Sequence, residues 1–464
     1  MRFIPPEKLY PFFSGRNSFL LESVRGPENI SRYSFIGFEP YGILKIKDGV
    51  SETGVGGEIS MSSEKPLQKL KEIFNGYRQR PAKGLPPFQG GAAGLVSYDF
   101  VHYLERLPIT TVDDLRIPDI HFLLVDRLIA FDHKENRAWV IVCPGARSPE
   151  AEYPLMYDEA ENALSTIFTR AENVSERDCP CPDSAHAGSK LEIVHNLSKD
   201  DYVAMVRKAK EYIAAGDIFQ ANLSLRVSAF IGDKSPWALY TGLRDINPSP
   251  FAGFFDFGDY FIVSSSPERL VRVRDRVIET RPIAGTRPRG KDNTEDEKMR
   301  TELLLNEKER AEHIMLIDLE RNDLGKVSDY SSVRVDELMT TEDYSHVIHI
   351  VSNIKGELLG NKDPLDVIRA VFPGGTITGV PKIRCMEIID ELERVRRGPY
   401  TGSMGYIGFS GNMDLNIIIR TFVVRDSYAY VQAGAGIVAD SDPEGEYHEA
   451  LKKAEALIKT LERI

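Results

Sequence analysis

NEKERAEHIMLIDLERND, residues 306–323, is the stretch from which the fold of this chain can be worked out. Asn306 is of a type that caps helix N-termini, and the apolar residues after it suffice for one packed face, so a helix is expected. Glu309 and Glu312 are three residues apart and therefore share a face of that helix. Two carboxylates at the border of a buried face favour a nearby cation, because like charges are costly there.

The same spacing recurs near the end of the chain, in GEYHEALKKAEALIKTLERI, residues 445–464. Glu446, Glu449 and Lys453 fall within roughly 60° of one another on a helix that advances ~100° per residue. Four carboxylates without Cys or His at ligand spacing suit an oxygen-preferring ion such as Mg²⁺. From spacing alone, two solvated helices with ordinary surface glutamates are the alternative interpretation.

Composition limits the functional classes. The 464 residues carry 58 Lys and Arg against 70 Asp and Glu, and this net charge of −12 argues against a nucleic-acid partner. No segment approaches ~20 uninterrupted apolar residues, so neither a membrane span nor a signal peptide is expected. The cysteines form neither a zinc pattern nor a disulfide framework, and we expect a soluble protein of the reducing cytoplasm. They are Cys143, Cys179, Cys181 and Cys385.

The order of predicted elements favours an antiparallel α+β architecture. Strand-like segments follow one another directly, rather than alternating with helices. A polar stretch rich in Pro, Gly and Ser divides the chain. We therefore expect an N-terminal region over 1–171, an exposed linker over 172–190 and a second region over 191–464. In the second region, LVRVRDRVIET (270–280) and LNIIIRTFVV (415–424) are each predicted as a strand.

Arg420 lies inside the second of those apolar segments. A guanidinium in a buried strand needs an anionic partner, either a carboxylate of the protein or a ligand. His349, in the strand-like segment HIVSNIKG, fits a core residue as well as a catalytic one. Tyr400, before the TGSMG turn, fits packing as well as contact with a ligand.

Three glycine-bearing loops occur in the second region. Each can offer backbone N–H groups to a small anion such as a carboxylate. None matches a nucleotide-binding motif, and each alone is also explained by a tight turn. The loops are RPIAGTRPRG (281–290), FPGGTITGVPK (372–382) and QAGAGIV (432–438).

Taken together and in order, these segments resemble the chorismate-utilising enzymes. This family comprises component I of anthranilate synthase and of aminodeoxychorismate synthase, with the isochorismate and salicylate synthases. The resemblance implies a four-layer α/β/β/α fold, in which two large antiparallel sheets pack orthogonally with the site between them. It rests on ERAEHIMLIDLERNDLG, PIAGTRPRG, FPGGTITGVPKIRCMEIIDELE, GNMDLNIIIRT and AGAGIVADSDPEGEYHE, with FLLES and RYSFIGFEP in the N-terminal part.

The resemblance also implies roles for individual residues. The two glutamate pairs would hold Mg²⁺, directly or through water, and the ion would hold the ring carboxylate of chorismate. His349 would lie close to the departing C4 hydroxyl, and Arg420 with Tyr400 would hold the enolpyruvyl carboxylate. FLLES matches a tryptophan-binding segment, with an ordinary edge strand as the alternative. The expected catalytic residues are His349, Glu309 and Thr376; the metal residues are Glu309, Glu312, Glu446 and Glu449; the substrate-binding residues are Gly285, Thr286, Tyr400, Arg420, Gly434, Ala435, Gly436 and Lys453; and the tryptophan-type pocket residues are Leu21, Glu22 and Ser23.

Two positions discriminate among members of the family. Gln220 stands where water-using members carry a lysine base, so ammonia is expected as the nucleophile. Ala284 matches the anthranilate synthases, whereas QANLS, SSSPERL and FPGGTITG are similar to the para-aminobenzoate branch, a subset of which also has PIAGT. The resemblance thus implies amination of chorismate to 4-amino-4-deoxychorismate, with anthranilate and pyruvate as the alternative products. A non-catalytic tryptophan-binding paralogue is a distant alternative.

The ammonia is expected to come from outside this chain. No cysteine stands in the glycine-flanked elbow of a glutamine amidotransferase. The partners implied by the resemblance are therefore chorismate, ammonia and a separate glutamine amidotransferase subunit, component II.

Overall fold

Two large sheets dominate the molecule, and every neighbouring pair of strands in them is antiparallel. Helices pack against both sheets. The predicted α+β fold class with two large antiparallel sheets is confirmed. The computed structural model describes residues 3–28, 30–55, 58–63, 65–77, 79–147, 152–174, 191–344 and 347–464.

Strands and helices are numbered in chain order. The strands are β1 Ser18–Glu22, β2 Tyr33–Gly37, β3 Gly42–Lys47, β4 Val50–Val55, β5 Glu58–Ser62, β6 Gly91–Val96, β7 Ile120–Val125, β8 Arg127–Asp132, β9 Arg137–Val142, β10 Ile193–His195, β11 Gln220–Phe230, β12 Phe251–Asp256, β13 Phe261–Ser266, β14 Arg269–Arg274, β15 Val277–Thr280, β16 Ile283–Pro288, β17 Arg334–Asp343, β18 Val347–Glu357, β19 Gly379–Val380, β20 Ser403–Gly408, β21 Met413–Asn416, β22 Thr421–Arg425 and β23 Tyr428–Ile437. The helices are α1 Pro6–Leu9, α2 Pro66–Gly76, α3 Tyr153–Glu172, α4 Lys199–Ala214, α5 Pro236–Ile246, α6 Asn293–Leu305, α7 Glu307–Gly325, α8 Pro364–Val371, α9 Lys382–Leu392 and α10 Pro443–Leu461, with short 3-10 turns at Tyr10–Phe12, Tyr98–Tyr103 and Gly375–Ile377.

Both sheets combine strands from before and after the predicted linker. Among the described residues, sheet one has the order β10-β11-β23-β22-β13-β12-β1-β2-β8-β9, with β19 beside β11. Sheet two has the order β16-β18-β15-β14-β21-β20-β6-β7-β3-β4-β5, with β17 beside β18. The N-terminal strands β1 and β6 pair with β12 and β20, so the two halves of the chain complete each other's sheets. The division at 171 and 191 stays a prediction, and most of the expected linker, residues 175–190, lies outside the described residues.

One buried cluster takes its side chains from both sheets. Phe19 and Phe35 reach it from sheet one, and Leu95 and Tyr406 reach it from sheet two. The rings of Phe35 and Tyr406 meet edge to face, with centroids 5.4 Å apart. Burial of each such side chain contributes about 1.5–3 kcal/mol, so this cluster holds the sheets face to face.

Helix α7 begins where the sequence predicts it. The side-chain oxygen of Asn306 accepts a hydrogen bond from the backbone N–H of Glu309 at 3.0 Å, which caps the helix. Leu316, Ile317 and Leu324 are buried on its inward face, and the helix packs against β16 and β18. The predicted helix over 306–323 is therefore confirmed. No helix among the described residues is long and apolar enough to cross a bilayer.

Two of the predicted strands are interrupted. The segment 270–280 forms a hairpin, β14 and β15, whose turn residues Asp275 and Arg276 have φ of 50° and 67°. The segment 415–424 leaves sheet two at the end of β21 and enters sheet one at β22. Arg420 lies in this crossing with a φ of 53°, so the prediction that it sits inside a continuous strand is wrong. Apolar character runs through both sheets, and it therefore did not reveal the change of sheet.

Candidate active site

The glutamates of α7 and α10 lie close enough for their charges to interact. Burial raises the pKa of Glu312, and the carboxylates of Glu309, Glu449 and Glu446 raise it further. Burial likewise raises the pKa of Glu446, and the charge of Glu449 adds to this. The structure thus brings the two glutamate pairs of the sequence into one electrostatic cluster.

Two of these glutamates form close contacts with cations. Glu309 accepts a hydrogen bond from Arg287 at 3.3 Å, and Glu449 pairs with Lys453 at 2.8 Å. Glu312 and Glu446 have no ion pair in the described part of the chain. Lys308 lies close enough to lower the pKa of both, yet burial and the other carboxylates keep each pKa raised. Half-buried carboxylates that repel one another and have no ion pair fit a divalent ion such as Mg²⁺. Over those same residues, no three acid, His or Cys side chains are already gathered at metal-ligand positions.

His349 lies on β18 against the irregular part of β16. Its Nδ1 is 3.1 Å from the carbonyl oxygen of Gly285 and 3.1 Å from Oγ1 of Thr286. Burial, with a smaller contribution from the charge of Arg420, lowers the pKa of His349 to about 4, although the hydrogen bond with the Gly285 carbonyl opposes the shift. The ring is therefore neutral at pH 7; when Nδ1–H donates to Gly285, Nε2 is the unprotonated nitrogen.

Gly285 allows β16 to approach the first glutamate pair. Its φ is +63°, and a Cβ at this position would lie 2.9 Å from a carboxylate oxygen of Glu309. A side chain here would be strained and would displace that carboxylate. The structure therefore brings Gly285, Thr286, His349 and Glu309 together, as the sequence predicts for a shared site.

Arg420 has no carboxylate partner among the described residues. Its guanidinium donates a hydrogen bond to the backbone carbonyl of Lys453. Burial lowers the pKa of Arg420, and the nearby Tyr400 hydroxyl opposes this shift. A buried cation without a protein anion is costly, and a backbone φ in the left-handed region adds to the cost. Such a residue is a candidate for binding an anionic ligand.

Strand β23 passes directly beneath Tyr400. A Cβ on Gly434 would lie 3.0 Å from the Tyr400 hydroxyl and 2.5 Å from the carbonyl oxygen of Leu223. Lys453 donates to the carbonyl oxygen of Gly434 at 3.1 Å, which links α10 to this strand. Ala435, the next residue, is fully buried. Glycine at position 434 therefore permits a contact that any side chain would block.

Gln220 begins the neighbouring strand β11. A Cβ on Gly436 would lie 2.6 Å from Nε2 of Gln220, so the amide rests against the glycine backbone. The backbone carbonyl of Gln220 accepts a hydrogen bond from the buried thiol of Cys385 at 3.0 Å. Gln220, the residue whose type predicts ammonia rather than water as the nucleophile, thus lies next to Gly436 of β23.

Glu268 is a residue of this site that sequence reasoning missed. It is 7% exposed, and its Oε1 accepts a hydrogen bond from Oγ1 of Thr376 at 2.9 Å. Burial raises the pKa of Glu268 to about 7, although the Thr376 bond and the charge of Lys453 oppose the shift. In the sequence Glu268 stands beside an arginine in SSSPERL, and charged residues in such a segment are ordinarily exposed. Burial makes it a carboxyl group that can gain and lose a proton near neutral pH.

A buried ion pair fixes the segment that carries Tyr400. Arg397 pairs with Glu393 at 2.7 Å and donates to the backbone carbonyls of Asn222 and Ile377 at 2.7 and 3.0 Å. Its guanidinium lies 5.6 Å from the centre of the Tyr400 ring. The pair therefore ties β11, the 3-10 turn after Gly374 and the Tyr400 segment to one another. The sequence did not predict this ion pair, because the segment RVRRG is typical of a solvent-exposed group of charges.

The predicted tryptophan-type pocket borders a separate cavity of about 620 Å³. Leu21, Glu22 and Ser23 line it, together with residues of β2, β12, β14, β20 and β21. The Glu22 carboxylate accepts hydrogen bonds from Arg244 at 2.9 Å and from Tyr240 at 2.5 Å, both on α5. The Ser23 hydroxyl donates to the backbone carbonyl of Tyr33 at 2.9 Å, so the polar groups of Glu22 and Ser23 are both bound within the protein. Tryptophan binding stays a prediction.

Comparison with known proteins places the chain within one family. The family described as chorismate binding enzyme matches residues 16–459. Aminodeoxychorismate synthase component 1 of Bacillus subtilis is 45% identical over 97% of this chain and 92% of that protein. Anthranilate synthase component 1 of Thermus thermophilus is 46% identical over 96% of this chain and 92% of that protein. The crystal structure of anthranilate synthase component I from Streptococcus pneumoniae superposes with a TM-score of 0.82 at 36% identity, covering 92% of each chain.

Proposed function

This chain belongs to the family of chorismate-binding enzymes, and from that premise we propose that it aminates chorismate with ammonia to give 4-amino-4-deoxychorismate. It is a chorismate-utilising enzyme of the anthranilate or aminodeoxychorismate synthase type. The choice of product is the proposal. It is supported by QANLS, SSSPERL and FPGGTITG, which are similar to the para-aminobenzoate branch.

The observation that carries the substrate assignment is the unpaired guanidinium of Arg420. Chorismate is a dicarboxylate, and a planar guanidinium fork matches a carboxylate in two parallel hydrogen bonds. Tyr400 adds a hydroxyl beside it, near Gly434. We assign the enolpyruvyl carboxylate to Arg420 and Tyr400. Lys453 and the backbone of Gly434, Ala435 and Gly436 support the ring carboxylate.

The residues of α7 and α10 suit a bound Mg²⁺. Glu312 and Glu446 form no ion pair with the described residues, and Glu309 and Glu449 would complete the set once Arg287 and Lys453 release them. When bound, the ion would offset part of the negative charge of the ring carboxylate and the four glutamates. Magnesium binding is part of the proposal.

The nucleophile is ammonia because Gln220 cannot act as a base. An amide has no basic nitrogen, and it can only orient a small molecule by hydrogen bonds. Neutral ammonia is a good nucleophile as it stands, whereas water is a weak one until a base removes a proton. The position of Gln220 against Gly436 supports this assignment, since the amide faces the strand that supports the substrate.

The departing C4 hydroxyl needs a proton, and Glu268 is the group suited to supply it. His349 has a pKa of about 4, so at pH 7 it holds no proton to give beyond the one on its neutral ring. Glu268, with a pKa raised to about 7 by burial, is protonated in a substantial fraction of molecules at that pH. We therefore assign His349 to accepting a hydrogen bond or orienting the hydroxyl, and Glu268 to donating the proton. Thr376 orients the Glu268 carboxyl through its 2.9 Å hydrogen bond.

Anthranilate formation is the second candidate, and Ala284 is the observation that favours it. Many aminodeoxychorismate synthases carry a lysine at the matching position, which attacks the ring before ammonia enters. Alanine cannot form that bond, so in this chain ammonia would add to C4 without such an adduct. The Thermus relative, at 46% identity, bears the name of anthranilate synthase.

The source of ammonia gives a direct test of the proposed chemistry. Cys143 and Cys385 are buried, and burial raises the pKa of each thiol to about 12, so neither is a poised nucleophile. Cys179 and Cys181 lie outside the described residues. We expect the purified chain to consume chorismate with ammonium and Mg²⁺, and to be inactive with glutamine until an amidotransferase subunit is added. Glutamine-dependent turnover by the pure chain would contradict the proposal.

A further inference from the structure

Asn222 carries a buried side-chain amide that neither the chorismate assignment nor the magnesium assignment uses. It lies on β11 and is 9% exposed. Its backbone groups are bound, since the N–H donates to the carbonyl of Thr378 at 2.8 Å and the carbonyl accepts from Arg397 at 2.7 Å. The side-chain Oδ1 is also buried, yet it accepts no hydrogen bond from the described residues. An unsatisfied buried acceptor is costly, and a ligand with a hydrogen-bond donor would satisfy it.

The unsatisfied oxygen lies beside the part of β23 that the proposed function gives to the substrate. A Cβ built on Gly434 would lie 2.7 Å from Asn222 Oδ1 and 3.0 Å from the Tyr400 hydroxyl. The amide oxygen and the hydroxyl therefore border the same point above Gly434. Since the Tyr400 hydroxyl is assigned to the enolpyruvyl carboxylate, Asn222 borders the space assigned to chorismate.

Gln220 lies two residues earlier on β11, so its side chain is on the same face of the strand as that of Asn222. Its Nε2 would lie 2.6 Å from a Cβ on Gly436, whereas its Oε1 does not come within 4 Å of that point. Gly434 and Gly436 likewise share a face of the neighbouring strand β23. Same-face neighbours on a strand are ~7 Å apart and a hydrogen bond spans about 3 Å, so one small molecule can bond to both amides.

The two reactants differ in the hydrogen bonds that they can offer these amides. Chorismate carries two carboxylates, which only accept hydrogen bonds, and its C4 hydroxyl is assigned to His349 and Glu268. Ammonia has three N–H donors and one lone pair. An amide oxygen binds an N–H group and leaves the lone pair available to attack the ring, whereas a donor would occupy the lone pair. An acceptor without a donor at this position therefore fits ammonia better than it fits chorismate.

We propose that Asn222 binds ammonia, with its Oδ1 accepting an N–H group next to the ring. Gln220 completes the site from the same face of β11, and neither amide takes a proton. This inference rests on the proposed function, in which ammonia is the nucleophile. Asn222 belongs to QANLS, so this segment would contribute the nucleophile site as well as the similarity to the para-aminobenzoate branch.

Asn222→Ala tests this through the two Michaelis constants. Initial rates of chorismate loss are measured with Mg²⁺, first at saturating chorismate with varied ammonia and then at saturating ammonia with varied chorismate. KM for ammonia should rise about 3–10-fold, as expected when one neutral hydrogen bond is lost, and KM for chorismate should stay within about twofold of the parent. An unchanged KM for ammonia would overturn the proposal. A rise in KM for chorismate alone would also overturn it, because Asn222 would then hold chorismate.

Asn222→Leu is the second variant, and Asn412→Ala is the matched control. Leucine is close to asparagine in shape but has no acceptor, so it should raise KM for ammonia as alanine does, without leaving a cavity. Asn412 is 6% exposed, and its amide is bound within the protein: Oδ1 accepts from the backbone N–H of Asp275 at 3.0 Å, and Nδ2 donates to the carbonyl of Pro87 at 3.3 Å. Asn412→Ala should lower the melting temperature and leave both KM values unchanged.

Melting temperatures and the turnover of the parent separate the ways in which the test can fail. Because the amide oxygen of Asn222 has no partner to lose, both variants should melt near the parent in the absence of ligand. A large drop in both would mark a structural residue and overturn the proposal. Since rates are followed as chorismate loss, the comparison holds whichever aminated product forms. If the parent shows no ammonia-dependent loss of chorismate, the proposed function fails and this inference fails with it; equal KM values for ammonia in an active parent and both variants would overturn this inference alone.

Discussion

Arg420 shows at the scale of one residue how the fold prepares for a ligand. The polypeptide changes sheets at this position, which places the backbone in the left-handed region and the guanidinium among buried groups. A cation in this setting lowers the stability of the ligand-free protein, because no anion in the described part of the chain offsets its burial. The same cation becomes favourable once an anionic substrate enters. Function and stability therefore make opposite demands on this side chain.

We expect Arg420→Ala to separate these two demands. Removing one partner of a buried charge pair costs about 2–5 kcal/mol, so kcat/KM for chorismate should fall at least about 30-fold. The ligand-free variant should melt at the same or a higher temperature, since it loses an unpaired buried cation. Steady-state kinetics and calorimetry on the same preparation check both statements.

Arg425→Ala is the matched control for this prediction. Arg425 lies five residues later on β22 and donates to the backbone carbonyl of Leu115, and none of the site contacts described above involves it. Its loss should leave kcat/KM unchanged. A large drop in melting temperature for Arg420→Ala would mean that Arg420 serves the fold instead.

Residue types were readable in the sequence, whereas burial was not. The sequence pointed to His349, Arg420 and Tyr400, but their protonation states follow from surroundings that only the folded chain supplies. Glu268 and Arg397 were missed for the same reason: charged residues are ordinarily exposed, and nothing nearby in the sequence marks these two as enclosed.

At the scale of elements, the helices were more predictable than the strands. Helix α7 carries its own cap at Asn306, which is a local signal. A strand's neighbours come from distant parts of the chain, so local patterning did not show that the segment 415–424 passes from one sheet to the other. In the segment 270–280, Asp275 and Arg276 form the turn with positive φ and no glycine, so the usual turn signal was absent.

The paired helices α7 and α10 give a prediction about magnesium. Glu449→Gln should raise the Mg²⁺ concentration needed for half-maximal activity about 10–100-fold, because it removes one carboxylate from the cluster. Melting temperature should change little, since Glu449 is a half-exposed side chain, 52% accessible, on the surface of α10. Titration of activity with Mg²⁺ after chelation measures the effect.

Helix α10 also supplies a closely matched control. Glu455 pairs with Lys459, four residues later, just as Glu449 pairs with Lys453. Both glutamate side chains are 52% exposed. Glu455→Gln should therefore leave the Mg²⁺ requirement unchanged. Full activity of the parent protein in EDTA would contradict a role for the metal.

At the scale of the whole molecule, the two halves of the chain form one framework. The N-terminal strands β1 and β6 pair with the C-terminal strands β12 and β20, so each sheet runs from one half of the chain into the other. The sequence resemblance predicted the two-sheet fold and the approximate membership of the site. It left the product open, because relatives of 45% and 46% identity bear different names.

The measurement that tests the central claim most directly is product analysis of the purified chain with chorismate, Mg²⁺ and ammonium. We predict that chorismate disappears without release of pyruvate and without fluorescence, leaving an aminated product that retains its enolpyruvyl group until a separate lyase is added. Formation of fluorescent anthranilate and pyruvate at the rate of chorismate loss would contradict this account. Ala284 would then be the residue that marks the branch.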